Sequence, residues 1–252
     1  MIRLATTRDL IELKAKYRDK WLTEEDHAIT KLRDPTWTLT EDAQWGLKQM
    51  GSLFCWDAIA TRKPKTLLEV GAGYDLTFGR RMTDDQEFWI ADTKGFYPQN
   101  LLDEANKVRK ARFVDTLVGK FHPELPENYF DIVFSVSALE HSNHDMIPNI
   151  CKDMFRVTKP GGVSAHSIDV HGCYTEGIAK MWFEAAQAAG FLIAGGFGEN
   201  RWIISPDRGS SVLSESLSRV FLNYEGRRED PWTDPVIPMG PYGTILLLAE
   251  KP

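Results

Sequence analysis

The chain has 252 residues, of which 42% are hydrophobic and 26% charged, with a formal net charge of −6. That balance fits an ordinary globular protein built as one large domain or one domain with an appendage, and it excludes disordered, collagen-like and coiled-coil classes. Thirty Lys and Arg stand against 36 Asp and Glu, with the basic residues scattered, which argues against a grip on phosphate backbones and so against a nucleic-acid partner.

Residues 1–64 carry helix-forming patterns and no strand pattern, and are expected to form an N-terminal helical cap. Leu10, Ile11, Leu13 and Tyr17 recur at helical spacing. A second stretch, over 41–60, sets Trp45, Leu47, Met50, Leu53, Phe54 and Ile59 on one broad face, with Thr40 as N-cap ahead of Glu41 and Asp42. From Lys65 onward short apolar runs alternate with amphipathic segments, the rhythm of βαβ units around a parallel sheet. Strands are expected over 66–70, 87–91, 111–114, 130–135, 162–168, 191–194 and 244–250. The clearest helices fall over 146–157 and 175–189, the latter ended by Gly190. The expected fold class is therefore α/β: a doubly wound, mostly parallel seven-stranded sheet over 65–252, behind the cap at 1–64. An insertion at 195–242, with a helical piece over 212–221, precedes the last strand. It is too long for a passive connection and reads as a lid, a binding loop or a subdomain.

Cys55, Cys151 and Cys173 are odd in number and lack metal-like spacing, which predicts buried or free thiols in a reducing compartment. The first residues hold no apolar run of signal-peptide length, and the longest aliphatic run, 245–249, is too short to cross a bilayer. The expectation is a cytoplasmic chain with no membrane partner.

The segment Leu67-Leu68-Glu69-Val70-Gly71-Ala72-Gly73-Tyr74-Asp75 runs a hydrophobic strand into two glycines one residue apart. The backbone can there turn sharply and approach a ligand where a side chain would collide. Asp92 ends the second strand, nineteen residues past Gly73, where a carboxylate can accept hydrogen bonds from ribose hydroxyls, and Asp115 ends the third. At the carboxyl ends of successive strands these residues meet over one crevice, where an open parallel sheet binds its ligands. A dinucleotide is the competing ligand, but its loop needs a third glycine at the sixth position, which here is Leu76. Asp75, near the N-terminus of a following helix, would also oppose a diphosphate while tolerating an ammonium group.

With Phe130-Asp131-Ile132-Val133-Phe134-Ser135, Ala138-Leu139-Glu140-His141 and Lys159-Pro160-Gly161-Gly162 added, the sequence resembles the class I S-adenosylmethionine-dependent methyltransferases, in their type 11-like small-molecule branch. The resemblance is close over 65–167 and looser toward the terminal strand. It implies S-adenosylmethionine as cofactor, held by Glu69, Gly71, Ala72, Gly73, Asp92, Asp115, Ser135 and Val136. In that scheme the glycine loop lines the methionine moiety, Asp92 holds the ribose hydroxyls and Asp115 meets the adenine amino group. The chain departs from the family pattern at Asp75, where a third glycine is usual. It also has Ser135-Val136-Ser137-Ala138 in place of the Asn-Pro-Pro-Tyr-type motif used for amino groups of bases and glutamine, which argues against nucleic-acid N-methylation.

Methyl transfer from a sulfonium is an in-line displacement that needs an aligned acceptor and a base for its proton. The candidates are His141, just after the fourth strand, and the pair Asp169 and His171, which share one face of an extended segment that turns His166 the other way. No metal is assigned. The cap and the insertion, which carry Trp21, Trp37, Trp45, Trp56, Trp202 and Trp232, are expected to choose the acceptor. The expected activity is methyl transfer from S-adenosylmethionine to a small-molecule acceptor, at an oxygen of a sugar, glycan precursor or secondary metabolite. The N-terminal helices are the expected surface for any homo-oligomer. A nicotinamide-dependent oxidoreductase and a non-catalytic methyltransferase-like binding module are the alternatives.

Overall fold

Thr66–Val70 and Phe130–Val136 are nearly continuous apolar runs, and both of their faces are buried, the pattern of central strands in a parallel sheet. The computed structural model describes residues 2–4, 7–17, 23, 25–36, 38, 47–171, 175–193 and 242–252. In chain order the elements are β1 (Ile2–Leu4), α1 (Thr7–Tyr17), α2 (Ala28–Arg33), α3 (Leu47–Arg62), β2 (Thr66–Val70), β3 (Glu87–Asp92), α4 (Gln99–Arg109) and β4 (Arg112–Asp115). They continue with β5 (Phe130–Val136), α5 (Ile147–Val157), β6 (Thr158–His171), α6 (Thr175–Ala189) and β7 (Tyr242–Glu250). Single 3-10 turns sit at Lys94–Phe96, Leu139–His141 and His144–Met146.

The strands form one sheet in the order β1-β7-β6-β5-β2-β3-β4. Pairs from β4 across to β6 are parallel, while β7 runs antiparallel to β6 and β1 antiparallel to β7. The chain winds outward from β2 through β3 to β4, then returns to place β5 on the other side of β2. The carboxyl ends of β2 and β5 thus flank the switch in strand order, the place where such sheets open a crevice.

Helices cover both faces. On one side α5 and α6 bring Ile150, Cys151, Met154, Trp182 and Ala186 against Leu68, Val133 and Ile168. On the other, Met50, Leu53, Cys55 and Ile59 of α3 pack on Leu67, Ile132, Phe134 and Ala165. The α3 backbone comes so near the sheet that Cys55 Sγ lies 3.4 Å from the carbonyl oxygens of both Ser135 and Ala165.

Two expectations need correction. Among the described residues of the segment 191–194 there is a single bridge, Leu192 to Glu250, and the strand that lines the outer edge of β7 is instead Ile2–Leu4, within the region read as helical only. Three residues are too few to show an alternating pattern, so this strand left no signal in the sequence. The connection over 71–86, where a helix was expected to follow the glycine loop, holds turns and no helix. The outer flank is covered instead by α2, whose Ile29 packs with Leu76 and with Leu101 and Ala105 of α4. Within the insertion at 195–242 only Tyr242 belongs to the described residues, as do none of Trp21, Trp37, Trp45, Trp202, Trp232 and Cys173. No helix among the described residues is long and apolar enough to cross a membrane.

Candidate functional site

The glycine loop turns out of β2 with Gly71 at φ +72° and Gly73 at φ +54°, conformations that L side chains rarely adopt. A Cβ on Gly71 would stand 2.5 Å from Cβ of Ala138, two residues past the end of β5. Gly73 is gripped at both of its backbone groups. Its N–H donates to Oδ2 of Asp92 at 2.7 Å, and its carbonyl accepts from Nη2 of Arg109 at 2.8 Å. The other Asp92 oxygen accepts from Thr93 N at 2.7 Å.

Asp92 is 3% exposed and Arg109 1% exposed. Burial raises the carboxyl pKa of Asp92, opposed by its two backbone donors and by Arg109. Burial lowers the guanidinium pKa of Arg109, opposed by Glu69, Asp75, Asp92 and Tyr97. Tyr97 closes over the loop, with its ring 3.2 Å from where a Gly73 Cβ would lie, and its phenol is pushed up to about 12 by burial and by the Asp92 charge.

A cleft of about 240 Å3 opens at the β2–β5 switch, lined by Glu69, the glycine loop through Asp75, Phe78, Tyr97, Val136, Ser137, Ser52 of α3, and His27 and Thr30. His27 and Thr30 belong to the stretch around α2, which is stitched to the segment just after the loop. The buried Asp26 carboxylate accepts from Arg81 Nη1 at 2.7 Å and Nη2 at 3.0 Å, from Arg80 Nη1 at 3.2 Å and from Thr23 N at 2.8 Å. The Asp26 carbonyl accepts from Leu76 N at 3.3 Å.

The cleft lining combines the buried carboxylate of Glu69, the half-buried Asp75 and the hydroxyls of Thr30, Ser52 and Ser137. Ser137 Oγ has no hydrogen-bond partner among the described residues. Neither Lys nor Arg is among the described lining residues. Such a surface favours a ligand with a cationic group and hydrogen-bonding oxygens over one with a diphosphate.

The residues singled out from the sequence divide accordingly. Glu69, Gly71, Ala72, Gly73 and Val136 line the cleft. Asp92 lies behind the loop and supports it. Asp115 sits beside Asp92 in register, is exposed, and accepts from Lys94 N at 3.0 Å. Ser135 is fully buried, with Oγ 2.8 Å from Nδ1 of His166, whose Nε2 lies 2.6 Å from Ser164 Oγ. His141 is 79% exposed at its side chain, with Nε2 3.9 Å from Glu140, and is not among the lining residues. Asp169 is half-buried in β6, paired in register with Thr244, and the His171 side chain lies outside the described residues. Among the described residues no group of three or more His, Cys, Asp or Glu could hold a metal ion. His27, Thr30, Ser52 and Tyr97 were not anticipated. His27 and Thr30 come from the stretch around α2, Ser52 from α3 and Tyr97 from the turn after β3, segments far apart in the sequence.

Comparison with known proteins gives a match to a methyltransferase domain family over residues 95–165. No curated protein matches the chain. A structure assigned as a sarcosine dimethylglycine methyltransferase from Galdieria sulphuraria is 12% identical, covers 79% of this chain and 84% of its own, and has a TM-score of 0.51. A TehB-like S-adenosylmethionine-dependent methyltransferase from Corynebacterium glutamicum is 13% identical, covers 78% of this chain and 86% of its own, and has a TM-score of 0.48. A methyltransferase-domain match lies across the centre of the sheet, and the chain has the fold of the class I S-adenosylmethionine-dependent methyltransferases.

Proposed function

We propose that the cleft binds S-adenosylmethionine and that the chain transfers its methyl group to an oxygen of a polar small molecule. The observation that carries the reading is the lining at the β2–β5 switch: a glycine cradle with Glu69 and Asp75 and, among the described residues, no lysine or arginine. A nicotinamide dinucleotide would bring two phosphates to those acids, whereas S-adenosylmethionine brings an ammonium and a sulfonium. When bound, that cofactor supplies an electrophilic methyl for in-line displacement. The chain's own part is then to place and align.

Gly71 and Gly73 let the loop backbone approach the ligand, and Asp92 and Arg109 hold Gly73 rigid beneath it. Glu69 provides the acceptor for an ammonium group. Ser52 and Ser137 face the same cleft with hydroxyls suited to orient an acceptor hydroxyl, which is why oxygen and a polyhydroxylated acceptor are proposed. Asp169 and His171, near the end of β6, are the proposed proton-orienting pair, and His141 at the surface is given no part. The test incubates the protein with methyl-labelled S-adenosylmethionine and a set of sugars and hydroxylated metabolites. The expected product is a labelled methyl ether that survives mild alkali. Label found only in amines or in alkali-labile esters contradicts the oxygen assignment.

A further inference from the structure

A ligand with an α-amino-acid end places a carboxylate beside its ammonium. Glu69 and Asp75 suit the ammonium and repel the carboxylate. Arg109 itself is 1% exposed beneath the loop and outside the lining, so its guanidinium presents no donor at the cleft surface. Among the described lining residues, His27 is the side chain able to carry positive charge. Thr30 follows three positions later and so stands on the same side of the segment, adding a hydroxyl donor.

We infer that His27 and Thr30 form the seat for the carboxylate of the ligand's amino-acid end, which rests on the cofactor reading above. The seat is built by the cap and not by the sheet. Asp26, immediately before His27, ties the segment to Arg80 and Arg81 with both carboxylate oxygens, and Leu76 N closes onto the Asp26 carbonyl. His27 also opens α2: its carbonyl accepts from Lys31 N at 3.0 Å, which fixes where its ring starts. The seat and the glycine loop are therefore two sides of one stitched unit, with the ammonium end at Glu69 and the carboxylate end at α2.

The experiment compares S-adenosylhomocysteine, which has the amino-acid end, with 5′-methylthioadenosine, which lacks it, by calorimetric titration of the wild-type chain, His27→Ala and Thr30→Val. The expected result is that His27→Ala weakens S-adenosylhomocysteine about tenfold or more, the loss of a charge-assisted hydrogen bond, while 5′-methylthioadenosine changes less than twofold. Thr30→Val should show the same selectivity with a smaller loss, and it keeps the test alive should His27→Ala fail to fold. Equal losses for both ligands, or no loss for either, would overturn the seat while leaving the cofactor reading intact. A wild-type chain that binds neither nucleoside overturns both.

Discussion

A guanidinium moved into a protein interior gives up its hydration, and at Arg109 one hydrogen bond, to the Gly73 carbonyl, is what replaces it. Nε and Nη1 have no hydrogen-bond partner among the described residues. What keeps the charge tolerable is the ring of acids around it, Glu69, Asp75 and Asp92. This links the residue that departs from the family pattern, Asp75, to the support of the loop: its charge stabilises the cation that holds Gly73. Asp92 completes the grip with an acceptor for the Gly73 N–H. Removing that acceptor leaves buried donors unpaired, so Asp92→Ala should lower the unfolding free energy of the ligand-free chain by about 1–3 kcal/mol, measured by denaturant titration. If stability is unchanged and only nucleoside binding suffers, Asp92 serves the ligand and not the loop. The sequence made Asp92 visible by its place at a strand end, but not this orientation, because spacing along a chain does not say which way a carboxylate turns.

At the scale of elements, α2 does what a helix after the glycine loop was expected to do. It has only six residues and no side-chain N-cap bond, so its stability comes from what it packs and pairs with. Ile29 enters the cluster with Leu76, Leu101 and Ala105, and Asp26 carries the ion pairs. The Asp26 carboxylate is wholly buried, while Arg80 and Arg81 keep 30% and 20% of their side-chain surface. The arginines can therefore rehydrate, and Asp26→Ala should cost about 2 kcal/mol, below the range for a fully buried pair, together with weaker nucleoside binding. A stability change under 0.5 kcal/mol, on the order of a neutral surface substitution, would mean that the stitch does not hold α2 in place.

The strands show why some elements were legible and others not. β2, β3 and β5 announce themselves as dense apolar runs because both their faces are buried, and that same density hid the direction of Ser135: a two-sided strand has no polar face to give its parity away. The Ser135 side chain turns to His166 across the β5–β6 pair, a direction that the run of apolar residues does not reveal. The switch point, the glycine loop and the α5 and α6 helices were readable from local pattern. β1 and the cap's share of the cleft depend on contacts between distant segments, which no local pattern records.

For the whole molecule, His166 sets a pH dependence. Burial lowers its pKa to about 3 from an ordinary 6.5, and the neutral ring sits between Ser135 and Ser164. The unfolded chain takes up this proton below about pH 6.5 while the folded chain refuses it until about pH 3, so stability falls as pH drops through that window. The slope approaches about 1.4 kcal/mol per pH unit, and between roughly pH 6.5 and 5 most carboxylates are still ionised, which confines proton uptake largely to histidines. Chemical denaturation across that interval should show the decline in the wild-type chain and a flatter profile in His166→Asn, whatever the variant's absolute stability. Equal slopes would place the proton uptake elsewhere.

Whether the cradle at the β2–β5 switch is an S-adenosylmethionine cleft is decided by calorimetric titration of the wild-type chain with S-adenosylhomocysteine and, separately, with NADH. Saturable one-to-one binding of S-adenosylhomocysteine is expected at a dissociation constant on the order of micromolar, about −8 kcal/mol, with no saturable binding of NADH. Saturation by NADH with no heat from S-adenosylhomocysteine would contradict that assignment.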